Sequence, residues 1–158
     1  FNMFKKFIFT FFLIFFFSSC GYTPIYLNSL ETSFEILNFK ISGNNEINRV
    51  VENKLKKYLN NNHKKKYDIE IITNYKKVSV AKDATGNTTN FKLIIDLDLN
   101  YMEINTAQEN EIKNIFFSEE LNIKRNQNNY EQNNYEQIII ENMTEILTEK
   151  IITHLSRI

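Results

Sequence analysis

Alternating apolar and polar residues run through the middle of the chain. In the most regular stretch, apolar side chains recur at every second position from Phe91 to Tyr101, and Lys92, Asp96 and Asp98 stand among the residues between them. A period of two puts the apolar side chains on one face of a β-strand. The stretch therefore predicts a strand with one buried face and one solvated face.

Three further segments also show strand periodicity. Residues 34–41 alternate with one phase slip, and residues 67–75 alternate cleanly. After Lys76-Lys77 the alternation resumes in a shifted phase at Val78 and Val80, which predicts a bulge at the two lysines. Turn residues at 83–87 separate this run from the next, and a loop at 105–110 leads to the last alternating residues, which are Ile115, Phe117, Leu121 and Ile123.

Two segments have helical periodicity instead. Asn44 or Asn45 can cap a helix whose apolar stripe consists of Ile47, Val50, Val51, Leu55, Tyr58 and Leu59. The five residues 128–132 are repeated at 133–137, and we interpret the repeat as an extended approach to a second helix. From Tyr135 onward, the stripe of that helix consists of Ile139, Met143, Ile146, Leu147, Ile151 and Leu155.

The order of elements is strand, helix, three strands, helix. Two amphipathic helices and a sheet with a single apolar face bury one another as two layers. The sequence thus predicts an α+β two-layer sandwich, with both helices on one face of a mostly antiparallel four-stranded sheet and a polar opposite face.

The amino-terminal region has the features of an export signal. Lys5 and Lys6 precede an unbroken apolar run from Phe7 to Phe17, which is shorter than the ~20 residues a membrane-spanning helix needs. Positive charges before a short apolar segment are typical of a secretory leader. We predict a leader at residues 3–19, with translation starting at Met3.

Cys20 is the only cysteine and follows Ser18 and Ser19. This arrangement resembles the bacterial lipobox, in which a lipid-modified cysteine becomes the new amino terminus. The alternative is an ordinary signal with an incidental cysteine. A lone cysteine forms no intrachain disulfide, so lipidation explains Cys20 best. We predict a lipidated tether at residues 20–32 and a domain at residues 33–158.

Charge excludes one class of partner. The chain has 19 Lys and Arg and 19 Asp and Glu, and loss of Lys5 and Lys6 leaves 17 basic and 19 acidic residues. A net charge of −2 provides no field that would recruit nucleic acid.

The sequence offers few residues for catalysis. The two histidines, His63 and His154, have no nucleophile or metal-ligand set around them, and we interpret both as solvated or helix-end side chains. Asp96 and Asp98 project from the same side of one strand, where a general acid and base could lie, although that strand requires a polar face in any case. Lysines 64–66 fit either a solvated helix end or a phosphate-binding patch.

Three features together resemble the lipopolysaccharide-assembly lipoprotein family, LptE (RlpB). They are the stretch Cys20-Gly21-Tyr22-Thr23-Pro24-Ile25-Tyr26, the order of elements, and Val78-Ser79-Val80-Ala81-Lys82-Asp83 ahead of a long alternating strand. The resemblance covers nearly all of the chain after the leader.

The resemblance implies a function without catalysis or cofactors. Members of the family are outer-membrane lipoproteins that face the periplasm, occupy the large β-barrel LptD, assist its assembly and bind lipopolysaccharide. Gly21, by resemblance to the bacterial sorting rule, agrees with the outer membrane. Lipopolysaccharide carries phosphates, so the candidate ligand-binding residues are Lys76, Lys77, Lys82 and Lys92, with Arg49 and Arg125 behind them.

Two other classes of function remain open. A lipoprotein that binds an amphiphile without a barrel partner would need an apolar pocket between the helices and the sheet. A periplasmic hydrolase would have only Asp96 and Asp98 as candidate catalytic residues.

Overall fold

The computed structural model describes residues 34–59, 61–104 and 111–158. The predicted leader at 3–19, the predicted lipidation site Cys20, the predicted tether at 20–32 and the predicted loop at 105–110 lie outside these residues.

The described residues form a four-stranded sheet and two α-helices. Strand order in the sheet is β1-β2-β3-β4; β1 and β2 are parallel, and the other two pairs are antiparallel. The elements are β1 (Phe34–Gly43), α1 (Asn45–Leu55), a 3-10 helix (Lys56–Tyr58), β2 (Lys65–Lys82), β3 (Thr88–Glu103), β4 (Ile112–Lys124) and α2 (Asn129–Arg157). This architecture confirms the predicted α+β sandwich and its order of elements.

Both helices cover the same face of the sheet, which we call the inner face. Alternation along β3 is complete, because Leu93, Ile95, Leu97 and Leu99 are all fully buried. The helices supply apolar side chains that pack on these strands; among them are Ile47, Val51 and Leu55 from α1, and Met143, Leu147, Ile151 and Leu155 from α2. Burial of this apolar surface is the main stabilising contribution.

The turn between β1 and α1 is fixed to β2. Asn44 caps α1, since its side chain accepts hydrogen bonds from the amides of Glu46 and Ile47. The amide of Asn44 donates to Oγ1 of buried Thr73 at 2.9 Å. Gly43 has φ +109°, and a Cβ there would lie 1.9 Å from the carbonyl oxygen of Thr73. Only glycine permits this close approach.

Helix α2 begins earlier than the sequence indicates. The repeated segment does not precede the helix but forms its first two turns, with Asn128 as the N-cap. Gln132 and Glu136 are buried, and Gln132 donates to the Glu136 carboxylate at 2.6 Å. The first turns of α2 were not predicted as helix because they are rich in asparagine and because some of their buried side chains are polar.

Two details of the predicted periodicity are wrong. Ile146 belongs to the predicted stripe of α2 but is 49% exposed, because the buried stripe passes through Met143 and Leu147 on either side of it. The bulge in β2 occurs between Ser79 and Lys82, not at Lys76-Lys77. The strand keeps its phase through the two lysines, and Val78 therefore faces away from the helices.

Candidate binding surface on the sheet

The face of the sheet that points away from the helices, which we call the outer face, is built from rows of side chains across β2, β3 and β4. Antiparallel register places the residues of each row directly opposite one another. From the base of the sheet toward the β2–β3 turn, four successive rows are Glu70/Asn100/Asn114, Ile72/Asp98/Phe116, Asn74/Asp96/Ser118 and Lys76/Ile94/Glu120.

Asp96 and Asp98 are both engaged in cross-strand contacts. Ser118 Oγ donates to Asp96 at 2.7 Å, and Lys76 Nζ lies 3.6 Å from the other oxygen of Asp96. Asn114 Nδ2 donates to the Asp98 carboxylate and to Asn100 Oδ1. The two carboxylates hold neighbouring strands together, which is the role expected from a strand with a solvated face.

The four candidate lysines lie near the same end of the sheet but on different faces. Lys76 and Lys92 are on the outer face, where Lys92 Nζ is 2.8 Å from Glu120. Lys77 is on the inner face; its ammonium lies 2.5 Å from the Glu136 carboxylate and 4.2 Å from the centre of the Phe91 ring. Lys82 ends β2 and makes no ion pair with any described residue.

This arrangement does not bring the four ammonium groups to one point. Three of them are already neutralised by a carboxylate, and they are divided between two faces. An anion that contacts Lys76 and Lys92 lies on the outer face and does not reach Lys77. Arg49, on exposed α1 surface, and Arg125, just after β4, add no further convergence.

The turn after Lys82 is ordered by one carboxylate. Asp83 accepts hydrogen bonds from the Thr85 hydroxyl at 2.6 Å and from the amides of Thr85 and Asn87 at 2.9 Å each. The hydrogen bond from the Thr85 side chain, followed by that from the Asn87 backbone, lowers the pKa of Asp83. Asp83 thus keeps its negative charge within the turn that follows Lys82.

The outer face is less uniformly polar than the sequence predicted. Phe116 is 61% exposed, and Ile72 and Val78 are each 44% exposed. Phe116 and Phe117 are neighbours on a strand, so one of them must face outward. The consecutive pair Phe116-Phe117 was the sequence signal for this apolar part of the outer face, and the predicted alternation included only Phe117.

The two histidines lie in different parts of the chain. His154 is half-buried in the last turn of α2, and its Nε2 lies 3.1 Å from the Tyr101 hydroxyl. Its ring packs edge-to-face with the Phe117 ring. Its side chain thus contacts the sheet as well as the helix end. His63 lies between the 3-10 helix and β2.

Two kinds of site are absent from the described residues. No group of three or more His, Cys, Asp or Glu side chains in ranges 34–59, 61–104 and 111–158 is arranged to hold a metal ion. No helix within those ranges has the length and apolar composition needed to cross a membrane.

Comparisons with solved structures identify the fold. The chain superposes on rare lipoprotein B from Shewanella oneidensis with a TM-score of 0.52 and 12% identity, over 76% of this chain and 94% of that one. It superposes on lipoprotein B from Nitrosomonas europaea with a TM-score of 0.51 and 12% identity, over 79% of this chain and 86% of that one. The chain has the lipoprotein B fold.

The structural similarity occurs at low sequence identity. No family model matches the chain, and no curated protein matches it at a significant level. The resemblance to the LptE (RlpB) family that the sequence indicated is therefore matched by the fold of the lipoprotein B structures.

Proposed function

We propose that this protein is a lipid-anchored lipoprotein on the periplasmic face of the outer membrane, and that it is the plug and assembly partner of an LptD-type β-barrel in lipopolysaccharide transport. The shared lipoprotein B fold and the amino-terminal sequence around Cys20 support this function. The protein acts in this proposal by contact and not by catalysis.

The outer face of the sheet is the observation that carries the proposal. It is broad, and its carboxylates and amides are paired across strands. Its charged side chains are acidic toward the base, at Glu70, Asp98 and Asp96, and include lysines toward the tip. The lumen of a large membrane barrel is polar, so a partner inside it needs a wide hydrogen-bonding surface more than a deep cleft. Apolar Ile72 and Phe116, which flank Asp98 in one row, add contact area to that surface.

Lipopolysaccharide binding is proposed at the end of the sheet that carries Lys76, Lys77, Lys82 and Lys92. Phosphates there would compete with Asp96, Glu120 and Glu136 for three of the ammonium groups, while Lys82 has no described carboxylate to give up. Lys82→Ala should therefore weaken retention of lipopolysaccharide by the purified protein more than Lys77→Ala does. Equal retention by both variants would remove Lys82 from the site.

Site-specific photocrosslinking in intact outer membranes tests the barrel partner. A photoreactive residue at Glu70, which is exposed on the outer face, should give an adduct with a protein several times larger than the 18.9 kDa chain. The matched control is Glu141, which is exposed on α2 on the opposite side of the molecule. Absence of a large adduct at both positions would contradict the proposal.

The alternative of a lipoprotein that binds an amphiphile alone receives less support from the geometry. A groove of about 770 Å³ runs along the solvent side of α2 and includes the charged residues Lys54, Glu145 and Arg157, so it does not lie between the helices and the sheet. An acyl chain requires apolar walls.

A further inference from the structure

The described chain begins at the base of the sheet. Phe34, the first residue of β1, lies opposite Lys65 at the start of β2. Cys20, the proposed lipid attachment, precedes Phe34 by fourteen residues, which span at most about 50 Å when fully extended. β2 rises about 55 Å from Lys65 to its end at Lys82, near the tip. A lipid-anchored molecule therefore cannot stand inverted, with only its tip on the bilayer surface.

Basic side chains gather at the end of the molecule where the chain enters. We call this the basal end; it consists of residues 56–59, residues 61–66 and the last turn of α2. The 3-10 helix supplies Lys56 and Lys57, and it lies there because Tyr58 stacks on Phe34 with ring centres 4.8 Å apart. The lysine run at residues 64–66 leads into β2 at the same end. This run therefore begins a strand instead of ending a helix, which removes one of its two interpretations.

Helix α2 brings one more cation to the basal end. His154 Nε2 lies 3.1 Å from the hydroxyl of Tyr101, which is two residues before the end of β3. Arg157 follows as the last residue of the helix and is exposed. A helix dipole favours cations at its carboxyl end, but it does not account for Lys64 and Lys65, which lie at the start of β2.

The basal cations differ from the lysines at the tip in their pairing. Among the basal lysines and arginine, Lys66 contacts a described carboxylate, that of Glu35 at 3.1 Å. The others form no ion pair with any described residue; they are Lys56, Lys57, Lys64, Lys65 and Arg157. At the tip, by contrast, three of the four candidate lysines are neutralised. The basal end therefore offers positive charge without first breaking an ion pair.

Acidic residues in the described part of the chain do not cancel this charge. Exposed carboxylates on the adjoining segments are those of Glu52, Glu103 and Glu111, which offset three of the five unpaired cations. Asp68 points to the outer face, where it accepts hydrogen bonds from Asn38. Glu70, the next acidic residue on that face, is about 16 Å along β2 from its start, beyond the screening length of about 10 Å in dilute salt. The basal end thus keeps a net positive charge.

We propose that the basal end docks on the surface of an anionic phospholipid bilayer, namely the bilayer that holds the proposed lipid at Cys20. This rests on the lipid anchor of the proposed function. Phosphate headgroups accept hydrogen bonds from lysine and arginine, and an anionic surface attracts basic residues that a tether keeps close to it. The lipid supplies the attachment, and the basal charges set the orientation of the domain.

Docking precedes entry into the barrel partner. A domain that rests on its basal end directs its tip away from the bilayer. A plug directs its tip into the barrel lumen, because the tether keeps the base outside. The two arrangements are successive states of one copy of the chain, and docking leaves the outer face of the sheet and the tip free for the partner.

Fluorescence quenching in vesicles tests the docked orientation. The full lipidated chain is labelled with a fluorophore at Ile112→Cys, which is beside the basal end, or at Val80→Cys, which is near the tip. A lipidated Cys20 has no free thiol to label. The chain is reconstituted with lipids that carry a nitroxide on the headgroup. In vesicles that contain phosphatidylglycerol, we expect strong quenching at residue 112 and little at residue 80. In vesicles of phosphatidylcholine alone, this difference should be lost.

Charge variants distinguish docking from random orientation. Each basic residue near an anionic surface contributes roughly a five-fold factor, so Lys56→Gln combined with Lys64→Gln should lower the ratio of docked to undocked molecules about 30-fold. Lys40→Gln combined with Lys124→Gln removes the same charge from exposed sites away from the basal end and should leave quenching unchanged. Circular dichroism checks that both double variants are folded.

Several outcomes would overturn docking. They are equal quenching at residues 112 and 80, no dependence on phosphatidylglycerol, and equal effects of the two double variants. Release of residue 112 by sodium phosphate, but not by sodium chloride at the same ionic strength, would show a discrete phosphate site instead of a docked surface.

Failure of the proposed function would look different. Loss of the chain from phosphatidylcholine vesicles would refute the lipid anchor, and docking with it. Absence of a barrel adduct from Glu70, with residue 112 still quenched, would refute the barrel partner alone.

Discussion

The hairpin formed by β2 and β3 has two halves with similar sequence patterns and different surroundings. At its base, Tyr67, Ile69 and Ile71 of β2 are buried beneath the helices. At its tip, Val78 and Val80 of the same strand are 44% and 48% exposed. Alternation specifies that a segment is a strand, but burial of its apolar face depends on whether a helix lies over it.

Lys77 marks the boundary between the two halves. Its stem crosses the Phe91 ring, and its ammonium contacts Glu136 near the start of α2. A long basic side chain can cover apolar surface while its charge remains near solvent. The core on the inner face therefore ends at the Lys77–Glu136 ion pair. Beyond it, pairing between β2 and β3 and the hydrogen bonds of Asp83 stabilise the tip of the hairpin.

The largest expected difference between the halves is in the cost of removing an apolar side chain. Leu97→Ala in the base should lower the free energy of unfolding by about 3 kcal/mol, because a fully buried leucine leaves a cavity. Val80→Ala at the tip should change it by about 0.5 kcal/mol or less. Urea denaturation followed by circular dichroism measures both. Similar losses in the two variants would mean that the tip is covered in solution.

The two glycines with positive φ offer a second comparison. Gly43→Ala, at the base, should cost about 2 kcal/mol, because the new Cβ collides with the backbone of Thr73 in addition to adopting a strained conformation. Gly86→Ala, at the tip, has φ +86° but no atom within 4 Å, so only the strain of about 1 kcal/mol applies. Thermal unfolding of the two variants tests which loss of stability is larger. A Gly43→Ala variant more stable than Gly86→Ala would contradict the prediction.

The smallest expected effect concerns a phenol in the base. Burial raises the pKa of Tyr67 from 10.0 to about 12. The unfolded chain therefore ionises first, so the contribution of this group to stability is complete below pH 10 and is lost as the pH rises to about 12. Tyr67→Phe should remove the part of the loss of stability at alkaline pH that is due to this phenol.

At neutral pH, the same substitution should change stability by less than ~1 kcal/mol, since the buried Tyr67 hydroxyl has no hydrogen-bond partner among the described residues. Ultraviolet absorbance of tyrosinate and unfolding measured across the same pH range would test the assignment. Tyr75, whose pKa burial also raises to about 12, is the matched control and should still titrate late in the variant. A normal pKa for Tyr67 would contradict its burial.

Sequence periodicity was sufficient for the elements and for the core of β3. Alternation from Phe91 to Tyr101 is uninterrupted, and each inner-face residue from Leu93 to Leu99 is fully buried. The first cap was also predictable, because Asn44 has the side chain that a helix start requires.

The errors arose where apolar residues were assumed to share one face. The predicted bulge at Lys76-Lys77 would place Val78 on the same face of the sheet as Tyr75. In the structure Val78 stays on the outer face because no helix covers the tip, and exposing it costs little. Ile146 is a parallel case on α2.

The candidate site was predicted in composition but not in arrangement. The lysines do gather at one end of the sheet, yet no sequence pattern indicates that Lys77 contacts Glu136, whose position depends on where α2 begins. Long-range ion pairs follow from packing between elements, which local patterns do not encode.

The parallel pairing of β1 with β2 has a consequence for the order of folding. β2, β3 and β4 join by local antiparallel connections, whereas β1 reaches β2 only after a crossover that includes all of α1. Contacts that close long loops form slowly. β2, β3 and β4 should therefore pair first and β1 should dock last, so the strand that follows the proposed lipid attachment in sequence is the last to become ordered.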